Sequence, residues 1–155
     1  MPHLFADISS HGLGHLAQTA PVLNELRRRM PDLRLTVRSG LPRAALASRI
    51  GGAFEHLPQA SDFGMLMANA VDVLAEQSAH AYAEFHRDWE PRGAREAALL
   101  AQLAPDAVLA DVSYLALAGA AAAGIPAVAM CCLNWADIYG HYCGGKPGSD
   151  AILRH

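Results

Sequence analysis

The chain has 155 residues, of which 52% are apolar and 17% charged, and its net charge is −3 at neutral pH. That length suits about one domain able to bury its own core, and the balance excludes a disordered chain. The arginines are dispersed rather than gathered in a stripe, which argues against a nucleic-acid partner, and no lysine-rich amphipathic segment marks a membrane surface.

Met1-Pro2-His3 carries no basic segment followed by an apolar one, so no secretory signal is expected. His3 to Ser9 reads as the first strand. Leu16, Ala20, Leu23 and Leu26 recur at helical spacing and predict an amphipathic helix ending near Arg27–Arg29 and Pro31. Pro21 sits awkwardly in that helix, which is expected either to kink there or to begin near Thr19. Leu33 to Arg38 alternates as a second strand. Pro42 to Ile50 is a short helix closed by Gly51-Gly52, and Ala53 to Leu57 a third strand. Asp62 to about Leu103 holds no strand signal and reads as a loop with one long or two shorter helices, broken at Pro91. Ala107 to Ala110 is the fourth strand, Ser113 to Ala123 a helix stopped by Gly124, and Ala127 to Cys132 the fifth strand. Asn134 to Tyr139 fits one helical turn, and residues 144–148 are linker-like. The apolar run from Leu115 to Met130 is interrupted by Gly119, Gly124 and Pro126, too broken and too short for a membrane span.

Strands alternating with helices predict a single α/β domain, a Rossmann-like doubly wound parallel sheet over residues 1–143, with 144–155 as a linker or the start of a further segment. Ligands of such sheets sit beyond the C-terminal strand ends. Three loops converge there: Ser9–Gly14, Asp111–Tyr114 and Leu133–Trp135. In the common strand order the first and fourth strands are neighbours, so His15 and Asp111 are expected to approach each other.

The three cysteines, Cys131, Cys132 and Cys143, are an odd count with two adjacent, which suits reduced thiols in a cytoplasmic protein. With His141 they match no standard zinc spacing, so no metal site is expected and the thiols read as buried and inert. Gly12-Leu13-Gly14-His15-Leu16-Ala17 satisfies G-x-G-x-x-A, a dinucleotide fingerprint. That motif wants an acid after the second strand, where this chain has Arg38-Ser39-Gly40; Arg38 would instead suit the 2′-phosphate of NADP. Under every one of these readings the glycines are expected to make a tight strand-to-helix turn.

The stretch GLGHLAQTAPVLNEL resembles the first loop and helix of GT-B glycosyltransferases, of the family 28 and UDP-glycosyltransferase kind. The stretch DVSYLALAGAAAAGIPAVAMCCLNWADIYGHY also resembles the N-terminal domain of L-arabinokinases. The resemblance spans residues 3 to about 142 and is most specific over 11–23 and 108–140. It implies that the chain is half of a GT-B fold, the acceptor-side domain. It makes His15 the general base, oriented by Asp111. It puts His11, Gly12, Gly14, Asn134 and Trp135 beside the substrate, with the aromatic run Tyr82, Phe85, His86 and Trp89 close by. The acceptor would be a small molecule or lipid-linked, and the nucleotide-sugar donor would bind through a C-terminal domain. The glycine-rich acidic donor motif is absent, so transfer by this chain alone is not expected, and it reads as a fragment or as half of a two-chain enzyme. Self-association is compatible with this reading, and no cofactor is called for. The chemistry is sound in itself: an imidazole near neutral pKa takes a hydroxyl proton, and a carboxylate fixes its tautomer. Two alternatives stay open, an NADP- or nucleotide-binding domain and a non-catalytic domain that binds a sugar or a partner.

Overall fold

The computed structural model describes residues 1–155. Strands β1 (His3–Asp7), β2 (Arg34–Arg38), β3 (Glu55–Leu57), β4 (Ala107–Ala110) and β5 (Ala127–Ala129) form one sheet in the order β3-β2-β1-β4-β5. Every pairing is parallel. The helices are α1 (Leu13–Arg29), α2 (Arg43–Ala47), α3 (Ala75–Arg87), α4 (Trp89–Leu103), α5 (Tyr114–Ala122), α6 (Trp135–Cys143) and α7 (Ser149–Ile152). This is a Rossmann-like α/β domain. Its strand order reverses between β1 and β4, the switch point at which such sheets open a crevice. No helix is long and apolar enough to cross a membrane.

The period of two along each strand sorts the core into layers. Leu4, Ala6 and Ile8 join Leu35, Val37 and Leu109 on one face, under Leu16, Ala20 and Leu23 of α1. Phe5, Val108 and Ala110 face the other way, against Leu100 of α4 and Ala116 and Ala120 of α5. A third cluster, Met65, Tyr82, Val112, Trp135, Tyr139 and Cys143, is built from the segments that follow the strands together with α3 and α6. Short α7 packs on α3, bringing Ile152 against this cluster.

The second face also carries buried charge. Arg38, 2% exposed, donates to Asp7 at 2.6 Å and to both carboxylate oxygens of Glu96 at 2.6 Å. Its guanidinium lies 5.3 Å from the Phe5 ring centre. Burial alone would lower the pKa of this cation; the two acids outweigh it and hold it above the ordinary arginine value. Glu96 reaches this place because Gly119 of α5 has no side chain, for a Cβ there would overlap the Glu96 side chain.

Several local expectations are corrected. α1 runs unbroken from Leu13 through Pro21, whose ring is exposed. The break between α3 and α4 falls at Asp88 rather than Pro91, because a proline in the first turn of α4 gives up an N–H that has no partner there anyway. β5 stops at Ala129 rather than Cys132, and α6 is longer than one turn. Residues 67 and 73 form a single antiparallel bridge where no strand signal was expected. Cys131 and Cys132 are exposed; only Cys143 is buried.

Candidate active site

β1 and β4 are in register with Asp7 beside Ala110, and the Asp111 N–H donates to the Asp7 carbonyl at 2.9 Å. The chain therefore leaves both strands at one level. From β1 it turns within a few residues into α1, which puts His15 in that helix's first turn. His15 Nδ1 stands 2.6 Å from Asp111 Oδ2. The Asp111 side chain is 0% exposed and that of His15 is 11% exposed. Neither Asp111 oxygen has an aligned hydrogen-bond donor, so the His15 ring is the closest compensation for this buried charge. The contact with Asp111 raises the His15 pKa against the opposing pull of burial, and Asp62 adds to the rise. With Nδ1 turned to the acid, Nε2 is the nitrogen left to meet a ligand. Asp111 is not the cap of the following helix: Ser113 holds that place, its Oγ accepting from the Ala116 N–H at 3.2 Å.

The other expected residues fall into two groups. His11 is held in place, with Nε2 3.1 Å from the Met65 carbonyl and its ring edge-on to Trp135 at 5.2 Å. Trp135 is 4% exposed, and its ring centre lies 6.1 Å from that of His15. Asn134 caps α6 by accepting from the Asp137 N–H at 2.8 Å. Gly12 and Gly14 stand apart. Gly12 is extended, at φ −167°, neither residue has a positive φ, and a Cβ at either would meet nothing within 4 Å. The turn thus has no need of glycine at these places, and the space over the start of α1 is open.

Asp111, Asn134 and Trp135 also line an open cavity of about 150 Å³. The rest of its wall is mainly aromatic and apolar, with Tyr82, His86, Tyr114 and Tyr139 prominent. His15 is not on this wall but touches two residues that are. The His86 ring lies parallel to that of Tyr114, with centres 5.7 Å apart and planes 4° apart, and stacks on Trp89 at 5.3 Å. Burial lowers the His86 pKa and raises those of Tyr82 and Tyr114, which favours the neutral form of each. Phe85 packs one layer back, on Phe63 and Arg92.

Asp62 joins the site without any signal in the sequence. It is 8% exposed, and its Oδ2 accepts from the Ser9 hydroxyl at 2.8 Å and from Trp135 Nε1–H at 2.7 Å. Burial raises its pKa, opposed by those two hydrogen bonds. No spacing in the sequence could reveal it, since its partners lie 53 and 73 residues away. Arg38, expected to suit a 2′-phosphate, is committed to Asp7 and Glu96 beneath the sheet surface and has nothing to offer a ligand. No group of three or more histidine, cysteine or acidic side chains is placed to hold a metal ion.

No protein-family model matches the chain. No curated protein matches it either. Among solved structures it is similar to a UGT transferase from Siraitia grosvenorii in complex with UDP, at 19% identity and a TM-score of 0.46, over 82% of this chain and 27% of that one. It is similar to Phytolacca americana UGT2 complexed with UDP-2fluoro-glucose and pterostilbene, at 18% identity and a TM-score of 0.48, over 82% and 30%. It is also similar to the glycosyltransferase VinC in complex with dTDP, at 19% identity and a TM-score of 0.47, over 99% and 41%. At these identities the likeness is one of fold, and the chain spans well under half the length of each of these structures.

Proposed function

We propose that this chain is the acceptor-side domain of a nucleotide-sugar-dependent glycosyltransferase, with His15 as general base and Asp111 as its orienting acid. The observation that carries the reading is the 2.6 Å approach of His15 Nδ1 to the fully buried Asp111 carboxylate at the sheet's switch point. In the reaction, an acceptor hydroxyl gives its proton to His15 Nε2. The oxygen so released attacks the anomeric carbon of the donor sugar. The bond from that carbon to the nucleotide diphosphate breaks, and the diphosphate leaves with the electron pair. Asp111 keeps the Nδ1 proton in place and stabilises the imidazolium that forms.

The cavity supports an acceptor with a ring-bearing, mostly apolar body, seated against Tyr114, Trp135 and Tyr139 with its hydroxyl toward Asp111, whose carboxylate meets His15. Residues 1–143 would form the domain and 144–155 lead toward a donor-binding partner domain, in the same chain or another. Reduced thiols at Cys131, Cys132 and Cys143 support a cytoplasmic setting. The NADP alternative loses its main support with Arg38 buried in an ion-pair network.

The test is His15→Ala in the enzyme assembled with its donor domain. Turnover is expected to fall by about 10²-fold or more, the scale of a general base, while the melting temperature holds. Parental activity in that variant would reduce His15 to a turn residue.

A further inference from the structure

The segment from Ser61 to Met65 makes three separate contacts with the first loop and α6. Asp62 takes the Trp135 indole N–H and the Ser9 hydroxyl on the same oxygen. Gly64, at φ +63°, lies so close that a Cβ would stand 2.8 Å from Trp135 Cη2 and overlap the His11 ring. The Met65 carbonyl meets His11 Nε2 at 3.1 Å. Ser9 Oγ, while donating to Asp62, accepts from the His11 N–H at 3.2 Å. One buried carboxylate thus joins three stretches distant in sequence: the loop after β1, the loop after β3, and the start of α6.

We infer that Asp62 is a positioning residue of the candidate active site, which holds Trp135 against the His11 and His15 rings. This deepens the reading of His15 as base for the same site. Packing alone does not require a carboxylate here. An indole N–H and a serine hydroxyl would be satisfied by a neutral acceptor, whereas an ionised acid in a buried place is costly. Its second oxygen, Oδ1, is buried without a partner, which adds to that cost. The charged or titratable groups that act on His15 are Asp111 after β4 and Asp62 after β3; those coupled to Asp62 are Asp7, Tyr82, Tyr114 and His15 itself.

The experiment uses the 155-residue chain, ¹⁵N-labelled, with the two indole signals assigned through Trp89→Phe. In Asp62→Ala the exchange of the Trp135 indole N–H is expected to quicken by about 10-fold or more as the site opens locally. Asp62→Asn keeps an acceptor oxygen and should retain slow indole exchange while the His15 titration moves to lower pH. A purely structural role would not move that titration once the indole is held. Indole exchange unchanged in a folded Asp62→Ala overturns the inference. So does an unchanged His15 titration in Asp62→Asn, which decides the matter where the alanine variant does not fold. Neither readout involves transfer, so a fully active His15→Ala enzyme would sink the general base while leaving the Asp62 result intact.

Discussion

Asp7 and Asp111 end adjacent strands and share a backbone hydrogen bond of 2.9 Å from the Asp111 N–H to the Asp7 carbonyl, yet their carboxylates serve different partners. Asp7 lies under α4, bound to Arg38 at 2.6 Å. Asp111, past the last residue of β4, meets His15 at 2.6 Å. One residue's difference in strand position separates an acid locked in a buried ion network from an acid at the crevice.

The His15–Asp111 contact makes the His15 titration measurable in this chain alone. Its pKa is raised by the Asp111 contact, so NMR should place the midpoint above the ordinary histidine value of about 6.5. Asp111→Asn should bring it down. The sign for stability follows from linkage: the ion pair contributes fully below the unfolded value and is lost as pH rises through the folded one. Thermal melts should therefore show stability falling over that window in the parent and much less in Asp111→Asn. In the complete enzyme, kcat/KM should rise through the same folded pKa, because only the neutral imidazole takes a proton.

Arg38 yields the opposite kind of prediction, a structural loss without a ligand effect. Removing one partner of a buried pair strands the others, a loss of about 3–5 kcal/mol. Arg38→Ala leaves Asp7 and Glu96 both uncompensated and should destabilise the chain by that order in urea melts. Calorimetry with NADP should give no heat for the parent. Tight NADP binding lost in Arg38→Ala would restore the dinucleotide reading.

Much of what was legible in the sequence was local. Ala107–Ala110 reads as a strand and is one, with the same bounds. Gly124, at φ +68°, ends its helix as its residue type suggests. The meeting of His15 and Asp111 was legible because strand order in doubly wound sheets is restricted. What stayed hidden depends on partners far along the chain. Arg38 looks like a ligand-binding cation until its acids, 31 and 58 residues away, are in place. Asp62 has no local pattern at all. Pro91 misled because a proline in the first turn of a helix gives up an N–H that has no partner there anyway.

The glycines of the first loop separate what the fold needs from what a ligand needs. Gly12 precedes α1 and Gly14 lies within it. Neither has a positive φ, and a methyl group at either would meet nothing within 4 Å. Glycine inside a helix costs about 0.5–1 kcal/mol relative to alanine. Gly14→Ala should therefore raise the melting temperature of this chain. The added methyl would project into open space near His15, where the proposed reaction brings acceptor and donor together. The expected outcome is thus a more stable protein whose complete enzyme has a higher KM or a lower kcat. Thermal melts and steady-state kinetics on the same variant check both halves. If Gly14→Ala were stabilised and fully active, the open space over α1 would have no ligand to receive. If it were destabilised, the loop would need its glycine for a backbone reason that the present geometry does not contain.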